Sequence, residues 1–215
     1  LPQAQLAEQL CRHSFGDRVF LCNSGAEANE AAIKATRRFG HASGGRYEIL
    51  TALGSFHGRT LGTIAATGQE KVRRGFEPLL PGFRYVPFAD AAATAAAVGP
   101  ETVAILVEPV QGEGGVVVPP PGYLRSLREL CDRHDLLLVF DEVQTGSGRT
   151  GSLFAYEQEG VEPDVMTLAK SLGNGVPVGA AVFNERAARG LDLGAHGSTF
   201  GGNCLTNAAA VATLE

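Results

Sequence analysis

The segment YLRSLRELCDRHDLLLVFDEVQ, residues 123–144, holds one unit of a repeating pattern. Its first half, Tyr123 to His134, sets Leu124, Leu127 and Cys131 on one side and Arg125, Glu129 and Asp132 on the other, which is an amphipathic helix. Leu136 to Phe140 follows as an unbroken apolar run of strand length that ends at Asp141. The alternation recurs on both sides. Pro2 to Phe15 carries Leu6, Leu10 and Cys11 at helical spacing, and Asp17 to Cys22 reads as a short buried strand. Ala26 to Phe39 is a helix rich in Ala and Glu, Tyr47 to Ala52 a strand, and Ala89 to Val98 an alanine-rich helix. Val103 to Val107, Val165 to Leu168 and Val178 to Phe183 are further runs of strand length. Short apolar strands separated by helices predict an α/β fold with a mostly parallel sheet flanked by helices on both faces. Ligands in such sheets lie beyond the carboxyl ends of the strands, so the polar residues that follow each strand are the informative ones.

At 215 residues the chain has the length of one domain, and residues 1–215 are read as one. A net charge of -5, with no basic cluster longer than Arg37-Arg38, argues against a nucleic-acid surface and favours small-molecule chemistry. Cys11, Cys22, Cys131 and Cys204 show no C-x-x-C pairing and the histidines are scattered, so no metal site is expected and the cysteines read as buried thiols in a reducing compartment. No apolar run reaches the ~18 residues of a membrane helix, and no basic or apolar leader opens the chain. A cytoplasmic location is the expectation. The chain begins at Leu1 and ends at Glu215 within apparent helices, and it reads as an excerpt of something longer.

Several constellations could carry chemistry. Asp141 and Glu142 arrive at the end of a buried strand, where a carboxylate needs a partner: a protonated pyridine nitrogen is one, and a loop cap or an arginine are the others. Lysine is scarce, with three against fifteen arginines. Lys34 is explained by an i,i+4 pair with Glu30, and Lys71 by the charged run Glu70-Lys-Val-Arg-Arg74. Lys170 instead leaves a strand for the glycine-rich Ser171-Leu-Gly-Asn-Gly175, where a desolvated amine becomes a nucleophile. Asn23-Ser-Gly-Ala-Glu27 joins a strand to a helix, and serves equally as an anion site or as an ordinary helix start with Ser24 as N-cap. Ser55-Phe-His-Gly-Arg-Thr60 offers an aromatic ring for a flat ligand and a guanidinium fork for a carboxylate; Phe56 as core and Arg59 as a surface charge are the plainer readings. Gly146-Ser-Gly-Arg-Thr-Gly151 fits a dinucleotide-binding loop, but Asp141 and Glu142 stand where a pyrophosphate would be repelled.

Together, Asn23–Glu30, Ser55–Thr60, Glu108-Pro-Val-Gln-Gly-Glu113, Asp141–Gln144, Leu168–Lys170 and Ser198-Thr-Phe-Gly-Gly-Asn203 resemble the class III (omega) aminotransferases, which use pyridoxal 5'-phosphate (PLP) on fold type I, and within them the acetylornithine/ornithine group. The resemblance implies that Lys170 carries the cofactor on its amine and that Asp141 holds the pyridine nitrogen protonated. It implies that Phe56 and Val143 sandwich the ring, that Gln144 reaches the phenolic oxygen, and that the N–H groups of Gly25 and Ala26 hold the phosphate. Thr199 would reach the phosphate of a second subunit, implying a homodimer with shared sites. Arg59 matches the residue that binds the substrate α-carboxylate, Ser198 lies close to that end, and Glu113 matches a glutamate that pairs with an arginine in one half-reaction. The implied reaction is transamination from acetylornithine or ornithine to 2-oxoglutarate, with succinylornithine and 4-aminobutyrate as alternative donors. Cys204, Ser147 and Ser171 depart from the family's usual residues, and the family's N-terminal segment and C-terminal small domain have no counterpart. These 215 residues alone are therefore expected not to be a competent enzyme, and a PLP-binding relic is the non-catalytic rival.

Overall fold

The computed structural model describes residues 1–215. Seven strands form one sheet: β1 (Arg18–Cys22), β2 (Glu48–Ala52), β3 (Phe83–Val86), β4 (Thr102–Val107), β5 (Leu137–Asp141), β6 (Val165–Leu168) and β7 (Gly179–Phe183). Their order is β1-β7-β6-β5-β4-β2-β3. The β6–β5, β5–β4, β4–β2 and β2–β3 pairings are parallel, and β7 runs antiparallel to both its neighbours. Six strands thus end at one edge of the sheet, and β7 starts there.

The helices are α1 (Pro2–Arg12), α2 (Gly25–Ala42), α3 (Leu61–Ala66), α4 (Glu70–Arg73), α5 (Ala91–Ala97), α6 (Tyr123–His134), α7 (Glu185–Ala188) and α8 (Cys204–Leu214). Side chains alternate across a strand. Leu138 and Phe140 of β5 therefore join a cluster with Leu6 and Leu10 of α1, Leu127 of α6 and Ala210 of α8. Leu137 and Val139 join the opposite cluster, with Ala31, Ala32, Ala35 and Phe39 of α2. Burial on both faces explains the unbroken apolar runs Val103–Val107 of β4 and Leu137–Phe140 of β5, each large side chain contributing about 1.5–3 kcal/mol.

Three expectations change. β1 is not a buried strand: it is an edge strand with a single neighbour, in which only Cys22 is buried, Val19 to Leu21 are half-buried and Arg18 is exposed. Nor are all the thiols buried, since Cys204 is exposed at the start of α8 and Cys11 is half-buried. Lys34 does not pair with Glu30; its amine meets His196 Nδ1 at 2.8 Å, while Glu30 accepts the Thr60 hydroxyl. No helix is long and apolar enough to cross a membrane.

Candidate active site

The carboxyl edge of the sheet carries a 480 Å³ cavity lined by residues at or beyond the ends of five strands, Asn23 to Ala26, Phe56 to Arg59, Glu108, Asp141 with Val143 and Gln144, and Ala169 to Lys170, together with Asn29 of α2. Gly175 to Val178, leading into β7, close its remaining side. Most of the residues singled out from sequence thus converge: Gly25, Ala26, Phe56, Arg59, Asp141, Val143, Gln144 and Lys170 all line this one space. Three do not. Ser198 and Thr199 line a separate 600 Å³ hollow with Glu27, Lys34 and His196. Exposed Glu113 lies outside the cavity and accepts a hydrogen bond from Gln144 Nε2 at 3.1 Å.

Asp141, the last residue of β5, is 2 % exposed. Its Oδ2 faces His57 Nδ1 at 2.7 Å and accepts from Asn29 Nδ2 at 2.8 Å, while Oδ1 accepts the Val143 N–H at 3.0 Å. No arginine reaches it. A carboxylate offers about four lone-pair positions, so three donors leave one acceptor position, on Oδ1.

Lys170 follows β6 at φ +45°, in the left-handed region that a side-chain-bearing residue enters at a cost of order 1–3 kcal/mol. This strained geometry opens a single turn of 3-10 helix, Lys170–Gly173. The desolvation expected of its amine is absent, for Lys170 is exposed and its cavity opens to solvent.

At the start of α2, Ser24 acts as N-cap, its hydroxyl accepting the Glu27 N–H at 3.2 Å. Glu27, three residues after Ser24, does not complete a capping box with it, because its carboxylate accepts the N–H and side-chain amide of Asn23 instead. The Gly25 and Ala26 N–H groups, unpaired by helix geometry, find no acceptor in the chain. A side chain at Gly25 would put its Cβ 2.8 Å from Val143 Cγ1, so glycine permits this helix end to press onto the cavity wall. Two free helix amides and a carboxylate with an open acceptor position therefore share one space. These groups fit PLP, which presents a phosphate at one side of its ring and a single N–H at the other.

The loop Gly146–Gly151 does not form a dinucleotide site. It runs through turns, with Gly148 and Gly151 at φ +83° and +98°, into the single 3-10 turn Ala155–Gln158, so no long helix aims its amides there.

Two buried glutamates complete the surroundings. Glu108, after β4, accepts the N–H groups of Phe56 and Gly112, and burial pushes its carboxyl up to about 7, opposed by His57 and reinforced by Asp141. Glu142 accepts the N–H groups of Ala155 and Tyr156 and the Thr145 hydroxyl, and burial outweighs these bonds to raise it to about 7. From 4.5 in the unfolded chain to about 7 in the fold, Glu142 keeps its proton in the folded state while the unfolded state loses it, so folding weakens as pH rises through that window. Glu142→Gln in the full-length protein is expected to shift stability relative to wild type in the variant's favour between pH 5 and 7.5, by up to about 3 kcal/mol. Denaturant melts across that range read it, and a pH-independent difference would contradict the assignment.

The largest hollow, 920 Å³, lies at the opposite edge of the sheet. Arg128 there is bound to Asp132 at 2.7 Å and Asp164 at 2.8 Å, and Arg186 to Asp135 at 2.6 Å, so its strongest polar groups are already paired.

A sheet with six strands ending at one edge, an Asp closing the central strand and a Lys following its neighbour define the fold of the PLP-dependent transferases. The chain belongs to the class-III aminotransferases, whose family model matches residues 1–215. It is 56% identical to the acetylornithine aminotransferase of Methanothermobacter thermautotrophicus over 213 residues, covering 99% of this chain and 54% of that one. It is 54% identical to that of Methanocaldococcus jannaschii, over 100% of this chain and 54% of the relative. The ornithine aminotransferase of Toxoplasma gondii superposes with a TM-score of 0.94 at 38% identity, covering 99% of this chain and 52% of that chain. The omega transaminase of Pseudomonas jessenii, solved in complex with PMP, superposes at 0.93 and 31% identity, covering 100% of this chain and 55% of that one. The chain spans about half the length of the curated relatives it matches.

Proposed function

We propose that the full-length protein transfers the terminal amino group of N-acetylornithine, or of ornithine, to 2-oxoglutarate with PLP as cofactor, giving the semialdehyde and glutamate. The observation that carries this reading is the meeting, in one 480 Å³ cavity, of a lysine amine, a carboxylate with one open acceptor position and two unpaired helix amides. Identity of 54–56% to acetylornithine aminotransferases supports the donor class.

In this reading residues 1–215 are the PLP-binding large domain. Asp141 would accept the ring N–H, Phe56 and Val143 would close the two ring faces, Gln144 would reach the phenolic oxygen, and the Gly25 and Ala26 amides would take the phosphate. The protonated ring supplies an electron sink for the pair released when a C–H bond breaks. Lys170 would carry the cofactor on Nζ, and its amine, when free, would take up and return the proton at the substrate carbon. Kinetics would be ping-pong, since the deaminated first product leaves, its amino group retained on the cofactor, before the acceptor binds. Thr199 serves the second subunit of a homodimer, which its separation from the cavity supports. Ser198 and Glu113 belong to the substrate end, Glu113 exchanging its present Gln144 partner for an arginine outside residues 1–215.

Arg59 stands exposed at the cavity mouth with its guanidinium 5.5 Å over the Phe56 ring, placed to take an α-carboxylate. The test compares N-acetylornithine, ornithine, succinylornithine and 4-aminobutyrate as donors to wild type and Arg59→Lys. Wild type is expected to prefer N-acetylornithine. The variant keeps the charge but loses the fork, so KM for the donors bearing an α-carboxylate should rise about 10- to 100-fold, with 4-aminobutyrate less affected. Preference for 4-aminobutyrate, or absence of turnover, would overturn the reading.

A further inference from the structure

Asn29 stands one turn into α2, on the face that meets the sheet, where Ala28, Ala31, Ala32 and Ala35 are otherwise apolar. It is 1 % exposed. Asparagine is a poor helix-interior residue and costs desolvation when buried, so packing alone does not account for it. Its hydrogen bonds do. Nδ2 donates to the His57 carbonyl at 2.8 Å and to Asp141 Oδ2 at 2.8 Å, and Oδ1 accepts the Thr167 hydroxyl at 2.8 Å. Thr167 lies directly opposite Asp141 in the β5–β6 register, and its side chain is likewise fully buried.

This set admits one amide orientation. The His57 carbonyl and the Asp141 carboxylate are acceptors, so a reversed amide would face two acceptors with its own oxygen. Thr167 holds the correct face by donating to Oδ1. An Asp carboxyl rotates broadly about χ2 unless its partners stop it, and here His57 and Asn29 grip the same oxygen.

We propose that Asn29, locked by Thr167, is a positioning residue that fixes the rotation of the Asp141 carboxylate and so aims its one open acceptor position at the cavity. The inference rests on the reading that the cavity holds PLP with its ring N–H on Asp141. Asn29 borders the cavity but is 1 % exposed, and Thr167 is fully buried, so both act through the Asp141 carboxylate.

The experiment uses the full-length, PLP-loaded protein and three variants: Asn29→Ala, Thr167→Val, which replaces one hydroxyl by a methyl, and Thr167→Ser, which restores it. kcat, KM for the amino donor, the pH titration of the cofactor's visible absorption band and the melting temperature are measured for each. Asn29→Ala and Thr167→Val should lower kcat about 10- to 100-fold with KM nearly unchanged and move the midpoint of the band titration, whereas Thr167→Ser should behave as wild type. If Asn29→Ala does not fold, Thr167→Val carries the test. A fall in melting temperature with kcat and band titration unmoved would overturn the positioning role, and so would failure of Thr167→Ser to rescue. A wild-type protein without a visible band would instead overturn the functional reading beneath it.

Discussion

Lys170→Ala in the full-length protein is expected to remove all covalently retained cofactor and to lower transamination by at least on the order of 10³-fold. Of the three lysines only Lys170 lines the cavity. Lys34 is turned to His196, and Lys71 is exposed on the short helix α4. Borohydride reduction should therefore fix the cofactor to the peptide containing Lys170 in wild type and to no peptide in the variant. The fold should survive, because the side chain is exposed and makes no hydrogen bond, and alanine at φ +45° meets the same backbone strain as lysine. Reduced cofactor on Lys34 or Lys71 would show the assignment to be wrong.

Asp141→Asn is expected to keep much of the cofactor affinity and to lose on the order of 10²–10³-fold in kcat. The hydrogen-bond arrangement dictates the separation. His57 and Asn29 require an acceptor at the Oδ2 position, so the amide nitrogen must take the Oδ1 position, beside the Val143 N–H and the cavity. The open acceptor there becomes a donor. A ring nitrogen can still bind it, but only unprotonated, and the electron sink is lost. The Gly25 and Ala26 amides are unaltered. Cofactor dissociation constants measured alongside kcat decide the matter: equal losses in both would mark Asp141 as structural.

The periodicity that made the architecture legible was strongest where burial is two-sided. α6 spans Tyr123–His134 as read from its stripe, and β6 spans Val165–Leu168 as read from its apolar run. β3 was not legible because Phe83-Arg-Tyr-Val86 is a four-residue edge strand with alternating exposure, and α3 because Leu61–Ala66 is a six-residue helix that contains Gly62 and Thr63. At the site, residues placed by one local rule were visible: a carboxylate ending a strand, a lysine in a glycine-rich turn, a helix start rich in small residues. Asn29, Thr167, Glu108 and the role of His57 were not. Asn29 meets Asp141 across 112 positions and Thr167 across 138, and in the chain each looks like ordinary helix or strand filling. Their significance exists only after the sheet brings α2 over β5 and β6.

α2 supplies the Gly25 and Ala26 amides at its first turn and the Asn29 amide that grips Asp141 at its second. Three to four residues of helix span roughly 4.5–6 Å. Under the proposed function the helix is a gauge block, rigid because eighteen residues and the core beneath set it, that would measure the gap between an anion and a ring N–H. A ligand with a longer spacer between those two groups could satisfy either end of the gauge but not both, so length is selected by backbone rise before any side chain reads the ligand's identity.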